Sequence, residues 1–302
     1  MQRLETHGAR DNLLRHVRKQ RLRYVTILPS LVTILNGVCG FWAIVLAGKG
    51  EKSFDMAGYM ILVAMVADML DGRLARMSHS TSSFGGQLDS LCDMISFGVA
   101  PAFLMLKILD FRLTDFEALR PALSHLLHRF IWLAAAAYIS CAAIRLARFN
   151  VENENDESAH MSFMGLPTPA AAGVIVSLVI FHQEALPEIS TEHSLTYMIC
   201  EKAIMYALPL LCYALAALMV SRIRYSHVVN QYIRGKKPFA HFIRVLLLFG
   251  LIIWSRQAAL VLIFCGFAAS GFVKWLYCRT SGRQVLPETP LETSAETSSA
   301  PE

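Results

Sequence analysis

Charge is scarce in this chain. Asp, Glu, Lys and Arg make up 17% of its 302 residues, against 55% hydrophobic, whereas a soluble domain carries about a quarter charged residues. The deficit lies in long apolar runs, several of which approach the roughly 20 residues needed to cross a bilayer. This disfavours a soluble bundle with buried helices. No C-x-x-C pair occurs among the seven cysteines, Cys39, Cys92, Cys141, Cys200, Cys212, Cys265 and Cys278. Their odd number and apolar settings argue against a disulfide framework or a zinc site. The first apolar run follows a basic stretch and lacks a small-residue cleavage site, so it is expected to stay as a span rather than leave as a signal peptide. No internal repeat and no second soluble domain is apparent.

Acids are missing where bases cluster, and the reverse. Residues 222–237 hold Arg222, Arg224, Arg234, Lys236 and Lys237 and no acid, and residues 1–24 hold seven Arg/Lys against two acids. Residues 182–200 hold three Glu and no Lys or Arg. Excess Lys/Arg marks cytoplasmic loops. The basic blocks flank apolar spans and carry no nucleic-acid motif, so contact with anionic lipid is expected and nucleic acid is not.

The expected fold is all-α, a polytopic integral membrane bundle of about eight transmembrane helices near 27–47, 56–77, 90–109, 130–149, 168–183, 203–221, 239–255 and 257–278. Residues 1–26 form a basic cytoplasmic arm or interfacial helix, 27–221 the membrane domain, 222–280 a basic loop with two further spans, and 281–302 a disordered tail poor in residues to bury. With a cytoplasmic N-terminus, this parity places the Asp68–Asp93 region at the cytoplasmic face.

Within these runs stand four aspartates in strict spacing. The stretch reads Asp68-x-x-Asp71-Gly72-x-x-Ala75-Arg76, eight further residues, then Gly85-x-x-x-Asp89-x-x-x-Asp93. Carboxylates are costly in a membrane unless paired, hydrated or metal-bound. Asp68, Asp71, Gly72, Ala75 and Arg76 share one helical face, and Asp89 and Asp93 are one turn apart on the next helix. The polar Ser78–Ser83 connection lets the two faces meet. Four hard oxygen donors suit Mg²⁺ or Mn²⁺ and can hold two such ions. Gly72, Ala75 and Gly85 leave room for a nucleotide to approach the backbone, and Arg76 offers a fork for a phosphate. Close helix packing is the plainer use of the small residues. A hydrated ion pathway, as in an ion-coupled transporter, is the alternative use of the acids.

The same spacing resembles the signature of the CDP-alcohol phosphatidyltransferases. Stretches outside it resemble the membrane-type phosphatidylserine synthases: Leu28-Pro29-Ser30 to Asn36-Gly37, with Ser30 where the commoner form carries Asn; Met94-Ile-Ser96-Phe97-Gly98 to Pro101; Arg145-Leu-Ala-Arg148-Phe149-Asn150; and Phe163-Met-Gly165-Leu166-Pro167-Thr-Pro169. The resemblance covers roughly residues 25–180. It implies transfer of the phosphatidyl group from CDP-diacylglycerol to the hydroxyl of L-serine with release of CMP. It further implies that Asp68, Asp71 and Asp89 are metal ligands, that Asp93 is ligand and candidate general base, and that Gly72, Ala75, Arg76 and Gly85 surround the cytidine and diphosphate. Arg145 and Arg148 are then candidates for the serine carboxylate or a lipid phosphate, their other reading being a positive-inside anchor. A homodimer in a bacterial inner membrane, its active site facing the cytoplasm, is expected. Another acceptor, such as choline, inositol or glycerol phosphate, is the alternative within the family.

Overall fold

The computed structural model describes residues 30–78, 83–117, 121–155, 165–185, 195–221, 223 and 255–280. The chain begins there with α1 (Ser30–Gly48). A tight link follows, in which Lys49 N donates to Leu46 O at 3.0 Å and Ser53 N to Gly50 O at 3.0 Å. Gly50 has φ +103°, a conformation that L side chains rarely adopt. A 3₁₀ turn (Glu51–Ser53) leads into α2 (Phe54–Ser78). Then come α3 (Ser83–Asp93), a π-helical turn (Met94–Val99) and α4 (Ala100–Glu117), which run on as one rod. The remaining helices are α5 (Pro121–Asn155), α6 (Thr168–Ile180) with a π turn over Phe181–Ala185, α7 (Leu195–Val220) and α8 (Arg256–Thr280). No strand occurs among the described residues.

Six segments among the described residues are long and apolar enough to cross a membrane: Ser30–Gly48, Glu51–Leu74, Phe84–Leu113, Ser124–Val151, Lys202–Val220 and Arg256–Tyr277. They correspond to six of the eight expected spans. The expected span at 168–183 is a 13-residue helix plus its π turn. The one at 239–255 lies outside the described residues except for Ser255, as do the basic arm, almost all of the basic loop and the tail. The α5 helix is longer than the expected 130–149. It carries Arg145, Arg148 and Asn150 and continues to Asn155, beyond the expected end of that span at 149.

The core explains the short α6. Ten of its 13 residues are buried, and its first two turns are mostly Ala and Gly. Small residues let neighbouring helices approach closely. A Cβ on Gly173 would lie 2.7 Å from Phe264 Cγ of α8, and one on Gly58 of α2 would lie 2.9 Å from Ile180 Cγ1. Two prolines frame the start of α6: Pro167 at its N-cap and Pro169 in its first turn. There the missing N–H costs nothing. Gly165 has φ +86° and docks this turn on the end of α7, its N donating to Ile223 O at 2.9 Å while Leu166 N donates to Leu218 O at 3.1 Å.

Large apolar side chains also point outward: Leu31, Ile34, Val38, Phe41 and Trp42 on α1, and Trp132 and Leu133 on α5, are exposed. In water such faces would be a liability. Against lipid tails they are the expected surface of a spanning bundle.

Candidate functional site

The site forms where the second half of α2, the second half of α3, the start of α1 and the end of α5 come together. Asp68 and Asp71 are one turn apart on α2, and Asp89 is on α3. One carboxylate oxygen from each of these three lies within 4.8 Å of the other two. Asp71 is 4% exposed, and its carboxylate is hydrogen-bonded by the Thr33 side chain of α1. Asp71 Oδ2 and Asp89 Oδ1 are buried and have no hydrogen-bond partner among the described residues.

Magnitudes decide what this trio is for. Two negative charges 4.8 Å apart repel by roughly 3–4 kcal/mol at an effective dielectric of about 20, and the trio contains three such pairs. Buried acceptor-only oxygens with no protein donor add a desolvation cost. A hard divalent cation removes both penalties, and oxygen-only donors are the set that Mg²⁺ and Mn²⁺ take. The residues present therefore fit such an ion.

Asp93 is placed differently. It closes α3 just before the π turn, is 8% exposed, and stands outside the trio while remaining in electrostatic range of Asp68, Asp89 and Asp71. Its Oδ1 accepts from Asn36 Nδ2 of α1 at 2.9 Å. Arg145 of α5 is also in electrostatic range of Asp93. It is half-buried, and its Nη1 donates to Thr168 Oγ1 of α6 at 2.7 Å, while its Nε is buried without a partner among the described residues. Arg148 lies nearly one turn further along α5 and is half-buried. Ser90 Oγ donates to Asn150 Oδ1 at 2.9 Å, tying α3 to α5.

Gly72 is exposed, and a Cβ built on it would meet nothing within 4 Å. Among the described residues, space therefore stands beside the trio on the α2 face. Gly85 is half-buried in the first turn of α3. Ala75 and Arg76 continue the α2 helix, and their side chains lie outside the described residues.

Sequence reasoning gave no role to Thr33, Asn36, Ser96 or Thr168. The signal available was faint: Thr33 and Asn36 are polar, one turn apart, in an otherwise apolar span.

Fold and site together define a polytopic helical membrane protein with a cluster of carboxylates that could hold a metal ion at one end of its bundle. The family model for CDP-alcohol phosphatidyltransferase matches residues 26–219, and the chain belongs to that family. It is 30% identical over 251 residues, 83% of this chain and 92% of the relative, to the CDP-diacylglycerol–serine O-phosphatidyltransferase of Helicobacter pylori. It is 34% identical over 155 residues to the enzyme of that name from Methanocaldococcus jannaschii, covering 51% of this chain and 61% of the relative. With the Saccharomyces cerevisiae enzyme it shares 35% over 162 residues, 50% of this chain and 52% of the relative.

Proposed function

We propose that the chain transfers the phosphatidyl group of CDP-diacylglycerol to the hydroxyl of L-serine, giving phosphatidylserine and CMP. The observation that carries this reading is the trio of carboxylate oxygens within 4.8 Å, with a separately held carboxylate and a half-buried arginine beside it. Its support from outside the structure is its similarity to CDP-diacylglycerol–serine O-phosphatidyltransferases that align along most of the chain.

Asp68, Asp71 and Asp89 would hold divalent cations, Mg²⁺ or Mn²⁺ and two in number; Asp93, expected as a ligand as well as the base, lies outside their 4.8 Å group and is assigned here to the base role. When bound, these neutralise the diphosphate and the charge that develops on the departing CMP. Open space at Gly72, with Ala75, Arg76 and Gly85, takes the cytidine and diphosphate. Asp93 takes the proton from the serine hydroxyl as its oxygen bonds to the phosphatidyl phosphorus. The bond from that phosphorus to the bridging oxygen breaks, and CMP leaves with the electron pair. Arg145, with Arg148, binds the serine carboxylate. Planar guanidinium matches a carboxylate in a fork that a lysine does not offer.

The chain works as a homodimer in a bacterial cytoplasmic membrane, with the site facing the cytoplasm. Supporting this orientation are the basic blocks at residues 1–24 and 222–237, which mark the cytoplasmic side. The test of the acceptor is CMP release by purified protein supplied with L-serine, choline, inositol or glycerol phosphate. Release with serine alone is expected. Faster release with another alcohol would replace serine and leave the family reaction standing.

A further inference from the structure

We infer that Asn36 is a positioning residue for the reaction and that it acts through Asp93; the inference rests on the reading of Asp93 as the base. Asn36 sits in the apolar α1 helix and is fully buried. Its Nδ2 donates to Asp93 Oδ1 at 2.9 Å. A carboxylate only accepts, so chemistry fixes the amide: nitrogen toward Asp93, oxygen away. Asn36 Oδ1 is buried and has no hydrogen-bond partner among the described residues. An orphaned amide oxygen is a penalty that Leu or Ala at this position would not carry. What the amide supplies in return is the contact to Asp93.

The same helix grips both flanks of Asp93. A Cβ on Gly37 would lie 3.0 Å from Cys92 Sγ, and one on Gly40 would lie 2.6 Å from Ser96 Cα. Ser96 Oγ donates to the backbone oxygen of Asn36 at 2.9 Å. Positions 92 and 96 are thus fixed against α1, and the Asn36 amide orients the carboxylate between them. The π turn starts at the next residue, Met94. Such turns recur at functional sites and shift the direction of nearby side chains.

Asp93 is also outside the trio formed by Asp68, Asp71 and Asp89. With Oδ1 engaged by Asn36, Oδ2 is the oxygen that takes the proton, and Asn36 sets its line of approach to the hydroxyl. Asn36 therefore separates the roles of the four aspartates: three for cations, one oriented for proton transfer.

The test uses the full chain in detergent with Mg²⁺, carrying Asn36→Leu, similar in branching though larger, or the smaller Asn36→Ser. We expect kcat to fall about 10- to 100-fold, the size of a lost hydrogen bond to a charged group. KM for CDP-diacylglycerol and the half-saturating Mg²⁺ should move by less than about threefold, because a positioned base acts in the chemical step. Added to Asp93→Asn, either substitution should lower residual CMP release, followed with radiolabelled substrate, by less than about threefold, since the pair acts as one unit. A wild-type kcat in Asn36→Leu would overturn the inference, as would losses that multiply in the double variant. If Asn36→Leu no longer binds CDP-diacylglycerol, Asn36→Ser carries the same comparison. Normal turnover by Asp93→Asn sinks the base reading itself. An inactive Asp93→Asn beside a normal Asn36→Leu sinks only the role of Asn36.

Discussion

At the residue scale, the four aspartates divide into two kinds, and substitution should separate them. Asp71→Asn and Asp89→Asn each remove a charge from the trio. Cation affinity and activity should both fall by orders of magnitude, as measured by Mg²⁺ titration of CMP release. Asp93→Asn should keep CDP-diacylglycerol binding and lose turnover, because the base proposed here acts in the chemical step. Weakened cation binding in Asp93→Asn would return it to the ligand set. Arg145→Lys keeps the charge but not the fork. It should raise KM for serine by roughly tenfold, the scale of one charge-assisted hydrogen bond, with a smaller effect on CDP-diacylglycerol. Unchanged serine kinetics would make Arg145 a membrane anchor. The aspartates were legible in the sequence because their spacing is local, one turn within each helix. Thr33, Asn36 and Thr168 were not, because their partners are distant: Asn36 and Asp93 are 57 positions apart, and Arg145 and Thr168 are 23 apart. No periodicity carries that information.

At the element scale, hydrophobic runs located the helices but not their irregularities. A π turn leaves the composition of a run unchanged, so those at Met94–Val99 and Phe181–Ala185 could not be read from it. The first leaves the Phe97 carbonyl to accept from Tyr138 Oη at 3.0 Å. Nor did composition show that α6 would be a short central helix, since an apolar run reads alike whether protein or lipid surrounds it. The α6 helix is held at both ends. At its start, Gly165→Ala would place a Cβ against the Met219 carbonyl in a backbone conformation that suits glycine. Because Thr168 follows closely and binds Arg145, this variant should lose activity as well as stability. In its middle, Gly173→Val would press on the Phe264 ring. Overpacking of this kind costs about 1–3 kcal/mol, read as a lower melting temperature in detergent. At its end, Glu184 Oε2 accepts from Tyr59 Oη and from Gln257 Nε2, both at 2.8 Å. This carboxylate ties α2 and α8 together on the side of the bundle away from the aspartates.

At the scale of the whole molecule, the described residues present an outward-facing apolar surface around a core in which alanines pack beside large side chains such as Tyr138, Phe97 and Ile175, with acidic chemistry gathered at one end. The sequence announced the membrane class through its shortage of charge. It announced the side of the site only through the basic blocks, whose residues are largely outside those described. Cysteine labelling of intact cells, on a cysteine-free background, checks the orientation. Ser80→Cys should resist an impermeant reagent and Ser190→Cys should react. External labelling at position 80 would invert the topology. The central claim is that the carboxylate trio serves cation-dependent phosphatidyl transfer to serine. Its most direct measurement uses purified protein in liposomes with CDP-diacylglycerol and L-serine, following phosphatidylserine and CMP together. The two products should appear in equal amounts, vanish with EDTA and return with Mg²⁺ or Mn²⁺. Undiminished product in EDTA, or CMP release without phosphatidylserine, would contradict the account.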